Sequence, residues 1–178
     1  FVWKDEFTLW DDVVKKFPAH GRAYGARGNA LLVRGLADQA LPDLNKAIEL
    51  QPDNAEAYSN RALVHEQKGR LEEALADCDK AIALNPRLTS AYNNRAVVHK
   101  SQGLLSEAID DLHKIIQLEP YRAVEIDPKK AVLYNDRGSV YGAKGLLDLA
   151  LADFNEAIRL RPDFAWAYNN RGIILKNK

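Results

Sequence analysis

Apolar and small residues recur along this sequence with a period of 34 residues. The segments 21–52, 55–86, 89–120 and 131–162 align in one register without an internal gap. Within the unit, position 4 is tyrosine, position 8 is glycine or alanine, position 15 is glycine, position 20 is alanine and position 32 is proline. Agreement at so many positions indicates an internal repeat, the signature of a protein built from stacked copies of one element.

Each unit predicts two short helices. In the first, apolar or small residues at positions 4, 8 and 11 share one helical face. The glycine at position 15 suits the left-handed conformation that ends a helix. In the second, apolar or small residues stand at positions 17, 20, 21, 24, 27, 28 and 30, and the proline at position 32 ends the helix because it lacks an amide donor. Since two such helices cannot bury their apolar faces alone, the units are expected to stack into an all-α solenoid.

This pattern resembles the tetratricopeptide repeat, whose spacing of aromatic, small, alanine and proline positions it follows. The resemblance implies a right-handed superhelical solenoid of antiparallel helix pairs, forming one domain. It covers the chain as a lone second helix (1–20), four full units (21–54, 55–88, 89–122 and 131–164) and a lone first helix (165–178). The sequence departs from the family at position 7, where arginine replaces leucine, and at positions 11 and 24, where His65, His99 and Cys78 replace aromatic residues.

The segment 123–130 breaks the register. The sequence RAVEIDPKKA around it is similar to KAIELQPDNA at the end of the first full unit. Two interpretations remain open: an irregular insertion between the third and fourth units, or a hidden chain break in which part of an extra unit is missing between Pro120 and Tyr121. A Cα–Cα distance across that junction well beyond about 3.8 Å would indicate the break.

Composition excludes several classes of function. Lys+Arg and Asp+Glu both number 25, so the net charge is zero, which argues against nucleic-acid partners and a polybasic membrane surface. A single cysteine excludes an internal disulfide framework, and no apolar run has the length of a membrane-spanning helix. The sequence leaves localisation undetermined, with the cytoplasm as the default because no signal peptide is seen. Since it begins at Phe1 and contains no methionine, we expect a fragment or a processed product.

Opposite charges recur on the two predicted helices of each unit. Position 7 is Arg27, Arg61, Arg95, Arg137 and Arg171, and position 23 is Asp43, Asp77, Asp111 and Asp153. Position 7 lies on the same side of the first helix as the apolar positions. We therefore predict a structural ladder of arginine–aspartate pairs, with Arg95 and Asp77 as one pair, rather than a basic stripe for acidic ligands.

The histidines and the cysteine favour packing over chemistry. The four histidines, His20, His65, His99 and His113, lack the cysteines or carboxylates that would complete a tetrahedral metal site, and we expect them to be packing residues. Cys78 is expected to be a small buried side chain, since no base stands beside it. The sequence shows no phosphate-binding glycine loop and no catalytic triad. We therefore expect no enzyme activity, no cofactor and no metal site.

Asparagines mark the candidate binding surface. In the tetratricopeptide repeat family, positions 2, 5, 6, 9, 12 and 13 of the first helices line the concave ligand groove. Here these positions hold the candidate peptide-binding residues Asn29, Asn60, Asn93, Asn94, Asn135, Asp136, Asn169 and Asn170. An asparagine amide both donates and accepts, so this row is similar to the peptide-binding asparagine ladder of O-linked N-acetylglucosamine transferase.

A clamp for the acidic tail of heat-shock chaperones is not expected. In co-chaperones of this family the clamp uses two asparagines with several lysine and arginine side chains. The matching positions here are Gly25, Asn29, Asn60, Ser90 and Asn94. Asn29 and Asn60 match the two clamp asparagines, but Gly25, Ser90 and Asn94 stand where the clamp has its lysine and arginine side chains. Carboxylates are not held without positive charge.

The sequence therefore predicts a non-catalytic scaffold that binds an extended peptide or a segment of a partner protein in its concave groove. One alternative is a substrate-recruiting arm of a larger enzyme, such as a glycosyltransferase. Another is a self-assembly module that forms homo-oligomers, in which copies stack through uncapped ends.

Overall fold

The computed structural model describes residues 4–118 and 128–178, and in those ranges every element of regular secondary structure is a helix. The helices are α1 (Glu6–Lys16), α2 (Gly21–Val33), α3 (Ala37–Leu50), α4 (Ala55–Gln67), α5 (Leu71–Leu84), α6 (Thr89–Ser101), α7 (Leu105–Leu118), α8 (Pro128–Ala143), α9 (Leu147–Leu160) and α10 (Ala165–Asn177). The chain forms two compact units, residues 1–98 (the N-terminal unit) and 99–178 (the C-terminal unit).

The repeat glycine ends the first helix of each unit. At the end of α2 the Gly35 amide donates to the Leu32 carbonyl (2.8 Å), and the Leu36 amide donates to the Leu31 carbonyl (2.9 Å). This pair of bonds is a Schellman cap, which requires a left-handed residue. The glycines that adopt a positive φ are Gly35, Gly69, Gly103 and Gly145. The predicted glycine cap is confirmed.

The second helices end where the sequence predicts. The helices α3, α5 and α9 end at Leu50, Leu84 and Leu160, each two residues before the repeat proline.

Of the segment 123–130, residues 128–130 form the first turn of α8. The junction between Pro120 and Tyr121 lies outside the described residues. None of the helices in the described ranges combines the length and the apolar character needed to cross a membrane.

Small residues let the paired helices approach closely. The alanines at position 20, Ala40, Ala74, Ala108 and Ala150, are completely buried. Where position 8 is glycine, a large side chain at position 24 lies against it, as Leu44 does at Gly28 and Phe154 at Gly138. A Cβ added to Gly138 would lie 2.8 Å from the Phe154 ring. The small residues at positions 8 and 20 therefore allow the close approach, and Cys78 is completely buried, as expected.

The arginine at position 7 joins three helices. On α2, Arg27 donates through Nε and Nη2 to the two carboxylate oxygens of Asp43 on α3, both at 2.7 Å, and through Nη1 to Asp11 Oδ1 on α1 at 2.9 Å. The hydrogen bond with Asp43 is the main cause that raises the pKa of Arg27 above its ordinary value. The guanidinium also lies over the Tyr24 ring at 5.7 Å, within the range of a cation–π contact.

The two-bond pair between arginine and aspartate recurs in both units. Arg61 donates to both oxygens of Asp77 (2.7 Å each) and to Asn45 Oδ1 (2.9 Å). In the C-terminal unit, Arg137 pairs with Asp153 through two bonds of 2.7 and 2.6 Å. The predicted structural role of the arginines is therefore confirmed.

The predicted partner of Arg95 was wrong. Asp77 pairs with Arg61 of its own repeat, whereas Nη1 of Arg95 donates to Asp79 at 2.6 Å. Position 23 of a repeat lies opposite position 7 of the same repeat, and position 25 lies within reach of position 7 of the next one. An aspartate at position 23 therefore pairs with the arginine of its own repeat and not with that of the next repeat.

We predict that the Arg61–Asp77 pair is strongly coupled. Asp77→Asn alone is expected to lower the free energy of unfolding by about 3 kcal/mol, because it leaves a half-buried guanidinium without its carboxylate. The double variant Arg61→Leu/Asp77→Asn should lose less than the sum of the two single changes. Urea unfolding of all four proteins gives the coupling energy. Additive losses would contradict the prediction.

We also predict that Gly138→Ala destabilises the C-terminal unit by about 1–3 kcal/mol, because the new methyl group overpacks against Phe154. Adding Phe154→Leu should recover part of that loss. Gly172→Ala is the matched control, since its Cβ would meet nothing within 4 Å and alanine favours a helix. Thermal unfolding measures all three, and equal effects at Gly138 and Gly172 would refute the packing argument.

Candidate binding groove

A groove of about 1030 Å³ lies in the N-terminal unit. The first helices α2 and α4 contribute Asn29 and Asn60, and Trp10 of α1 lines it as well. The remaining lining comes from α1, from the first two turns of α2, from the start of α4, and from the end of α5, the loops that precede α4 and α6 and the start of α6: Glu6, Arg22, Gly25, Ala26, Gln51, Asp53, Asn54, Ala55, Glu56, Ala57, Leu84, Asn85, Leu88 and Ser90.

Local capping bonds shape the groove edge. The Asn54 side chain accepts a hydrogen bond from the Ala57 amide (3.0 Å) and thereby begins α4. His20 plays the same part for α2, where its Nδ1 accepts from the Ala23 amide at 3.2 Å. His20 is exposed, so its prediction as a packing residue was wrong: it precedes the helix and satisfies one of its free amides.

Two of the predicted asparagines face this groove with free side chains. Asn29 is exposed on α2 and Asn60 is half-buried on α4. Neither side chain has a hydrogen-bond partner in the part of the chain that the structure describes. Their donors and acceptors are therefore available to a ligand.

The other candidates lie outside the groove, and several are used within the protein. Asn94 on α6 donates through Nδ2 to the Ser59 carbonyl (2.8 Å), which ties it to α4. Asn170 on α10 donates to Asn135 Oδ1 on α8 (3.0 Å), and Asn135 is itself buried. Asn93 and Asn169 are exposed. Asn94 and Asn170, both at repeat position 6, thus link successive first helices.

Asp136 replaces asparagine at position 6 of the fourth repeat. Its carboxylate is half-buried and accepts one long hydrogen bond, from Asn135 Nδ2 at 3.4 Å. Burial raises the pKa of Asp136 above its ordinary value of 3.8, against the smaller opposing effects of Asn135 and Lys100.

The other histidines contact carboxylates or a phenol. His99 Nδ1 lies 3.0 Å from Asp111 Oδ2, and His65 Nε2 lies 3.8 Å from Asp77 Oδ2. His113 Nε2 is 3.3 Å from the Tyr141 hydroxyl. Burial lowers the pKa of His65 and of His113. Within residues 4–118 and 128–178, no three histidine, cysteine or acidic side chains are grouped as a metal ion would require.

Comparison with known families agrees with the repeat geometry. Three tetratricopeptide repeat models match the chain, at residues 26–89, 88–118 and 140–178. The chain belongs to the tetratricopeptide repeat family. No curated protein sequence matches it at a significant level.

Solved structures show the same all-α tetratricopeptide repeat solenoid. The chain is 26% identical to MamA, with a TM-score of 0.73 over 89% of this chain and 88% of that one. It is 22% identical to TTC0263, a thermophilic tetratricopeptide repeat protein of Thermus thermophilus, with a TM-score of 0.73 over 96% and 89%. A chain of the APC/C hetero-tetramer Cut9–Hcn1 is 18% identical with a TM-score of 0.80, over 97% of this chain but 33% of that one.

Tetratricopeptide repeat proteins generally bind protein partners and are typically non-catalytic scaffolds.

The repeat pattern did not predict the groove residues outside the first helices, above all Trp10 and Asp53. Trp10 stands at a repeat position that is otherwise buried, and Asp53 lies in a loop. Glu56 and Arg22, by contrast, stand at position 2, which the family pattern already marks as a ligand position.

We predict that Asp136→Asn stabilises the protein at neutral pH. A carboxyl group whose pKa is higher in the folded than in the unfolded protein contributes most to stability at pH values below its unfolded pKa of 3.8. That stability is lost as the pH rises through the folded pKa. The advantage of the variant should therefore grow with pH and vanish in acid. Thermal unfolding across a pH series measures it, with the exposed Asp110→Asn as control. An advantage that does not change with pH would contradict the prediction.

Proposed function

We propose that this protein is an interaction scaffold whose N-terminal unit binds an extended peptide segment of a partner protein in the groove between α1, α2 and α4. The observation that carries the proposal is the pair of unpartnered asparagines, Asn29 and Asn60, on successive first helices of one groove. Its volume, about 1030 Å³, matches the upper end of ligand sites. The family's general role in protein binding supports the same conclusion.

Asparagine amides suit a peptide of varied sequence. Each can pair with a backbone carbonyl and a backbone amide of an extended chain, whatever that chain's side chains are. A net gain of about 0.5–1.5 kcal/mol for each bond gives modest, sequence-tolerant affinity. We propose that positions 5 and 6 of the later repeats supply further peptide contacts within each unit: Asn93 and Asn94 in the N-terminal unit, and Asn135, Asp136, Asn169 and Asn170 in the C-terminal unit.

We predict that Asn29→Ala/Asn60→Ala weakens partner binding about tenfold or more, because two peptide-facing amides are removed. The measurement is quantitative recovery of partners from native extract by the wild-type chain and the variant. Gln39→Ala is the control, since it removes an exposed amide from α3, outside the groove lining.

Equal recovery by all three proteins would refute the groove as the site. A substrate-recruiting arm of a larger enzyme would use the same groove and lose its substrates with the same variant. A self-assembly module would instead use exposed apolar side chains such as Trp166 and Leu175 of α10, and would be unaffected by the groove variant.

A further inference from the structure

The charged side chains around the groove are mostly acidic. Among the described residues that line it, Glu6, Asp53 and Glu56 are acidic, against Arg22 as the single basic residue. In the described part of the chain none of these four side chains has an ion-pair partner. Since the whole chain has no net charge, the negative excess is a local property of this groove.

On this basis, and resting on the proposed function, we propose that the groove selects peptide segments that carry lysine or arginine side chains. Unpaired carboxylates beside a binding surface attract a cationic ligand and repel an acidic one. The repeat positions that hold cations in the chaperone-tail clamp are neutral here, as at Gly25 and Ser90, which both line the groove. The groove therefore offers an acidic peptide little compensation for the repulsion.

Helix α1 offers a specific place for one cation. Glu6 and Trp10 both line the groove and stand four residues apart, so they are neighbours on one helical face. A lysine or arginine of the ligand can contact the indole face and pair with the carboxylate at once.

The start of the same helix, with its N-cap residue Asp5, already holds one of the protein's own cations. On another face of α1 the Arg34 guanidinium lies 4.3 Å from the centroid of the Phe7 ring and pairs with the Asp5 carboxylate. An aromatic ring next to an acid is therefore a working arginine site in this unit, filled there by the protein's own side chain. Glu6 and Trp10 provide the same two kinds of group, four residues apart, in the lining of the groove.

The test uses the full chain and three fluorescent decapeptide libraries, degenerate except at alternate positions that hold lysine, glutamine or glutamate. Fluorescence anisotropy should show the lysine library binding about tenfold more tightly than the glutamate library. Added salt should reduce this difference, since exposed charges are screened.

Matched variants locate the effect. Glu6→Gln/Glu56→Gln should reduce the preference for the lysine library over the glutamine library about three- to tenfold, which is the scale of two exposed charge pairs. Glu72→Gln/Glu73→Gln removes the same charge from exposed positions on α5, outside the groove lining, and should change little.

The outcomes separate this inference from the function it rests on. If Asn29→Ala/Asn60→Ala weakens all three libraries equally and no library is preferred, the groove binds peptides and the charge selection is overturned. An equal effect of the two glutamate variants also overturns it. If no library binds, or the asparagine variant changes nothing, the proposed function fails and the charge preference with it.

Discussion

The ion pair between the arginine at repeat position 7 and the aspartate at position 23 is the constraint on which the helix packing depends. At Arg27, Arg61 and Arg137 two nitrogens of the guanidinium meet both oxygens of one aspartate. This planar match fixes the rotation of the second helix against the first, because a change in rotation breaks two bonds together. Positions 8 and 24, which come directly after the charged pair, must then face each other. At Gly138 the missing side chain leaves room for the Phe154 ring, so the side chains at these two positions limit how closely the helices approach.

The same constraint leaves the binding face free. Positions 4, 7, 8 and 11 turn one side of the first helix toward its own second helix. Positions 2, 6 and 9 therefore fall on another side, and in the N-terminal unit Glu56, Asn60 and Asn29 line the groove from there. Side chains that hold the fold and side chains that can meet a ligand thus occupy separate stripes of one short helix, so the groove can vary without loss of the packing.

Much of the fold was predictable because it follows from spacing alone. The glycine at position 15 and the proline at position 32 locate the helix ends, as Gly35 and the end of α3 at Leu50 show. Spacing could not say which aspartate Arg95 reaches, since carboxylates of one repeat and of its neighbour both lie near position 7. It also could not reveal the groove's acidic lining, which is assembled from α1, a loop and α4.

Asparagine at position 6 shows why a binding surface is harder to read than a core. A buried alanine has one role, but an amide can serve the fold and a ligand at once. Asn94 donates one N–H to the Ser59 carbonyl, but an asparagine side chain also carries a second N–H and an oxygen with two lone pairs. Asn60, at the same repeat position, makes no such bond in the described residues. Asparagines at the same repeat position therefore differ in the hydrogen-bonding groups that they leave free for a partner. The contacts that each makes with the neighbouring helix determine this difference.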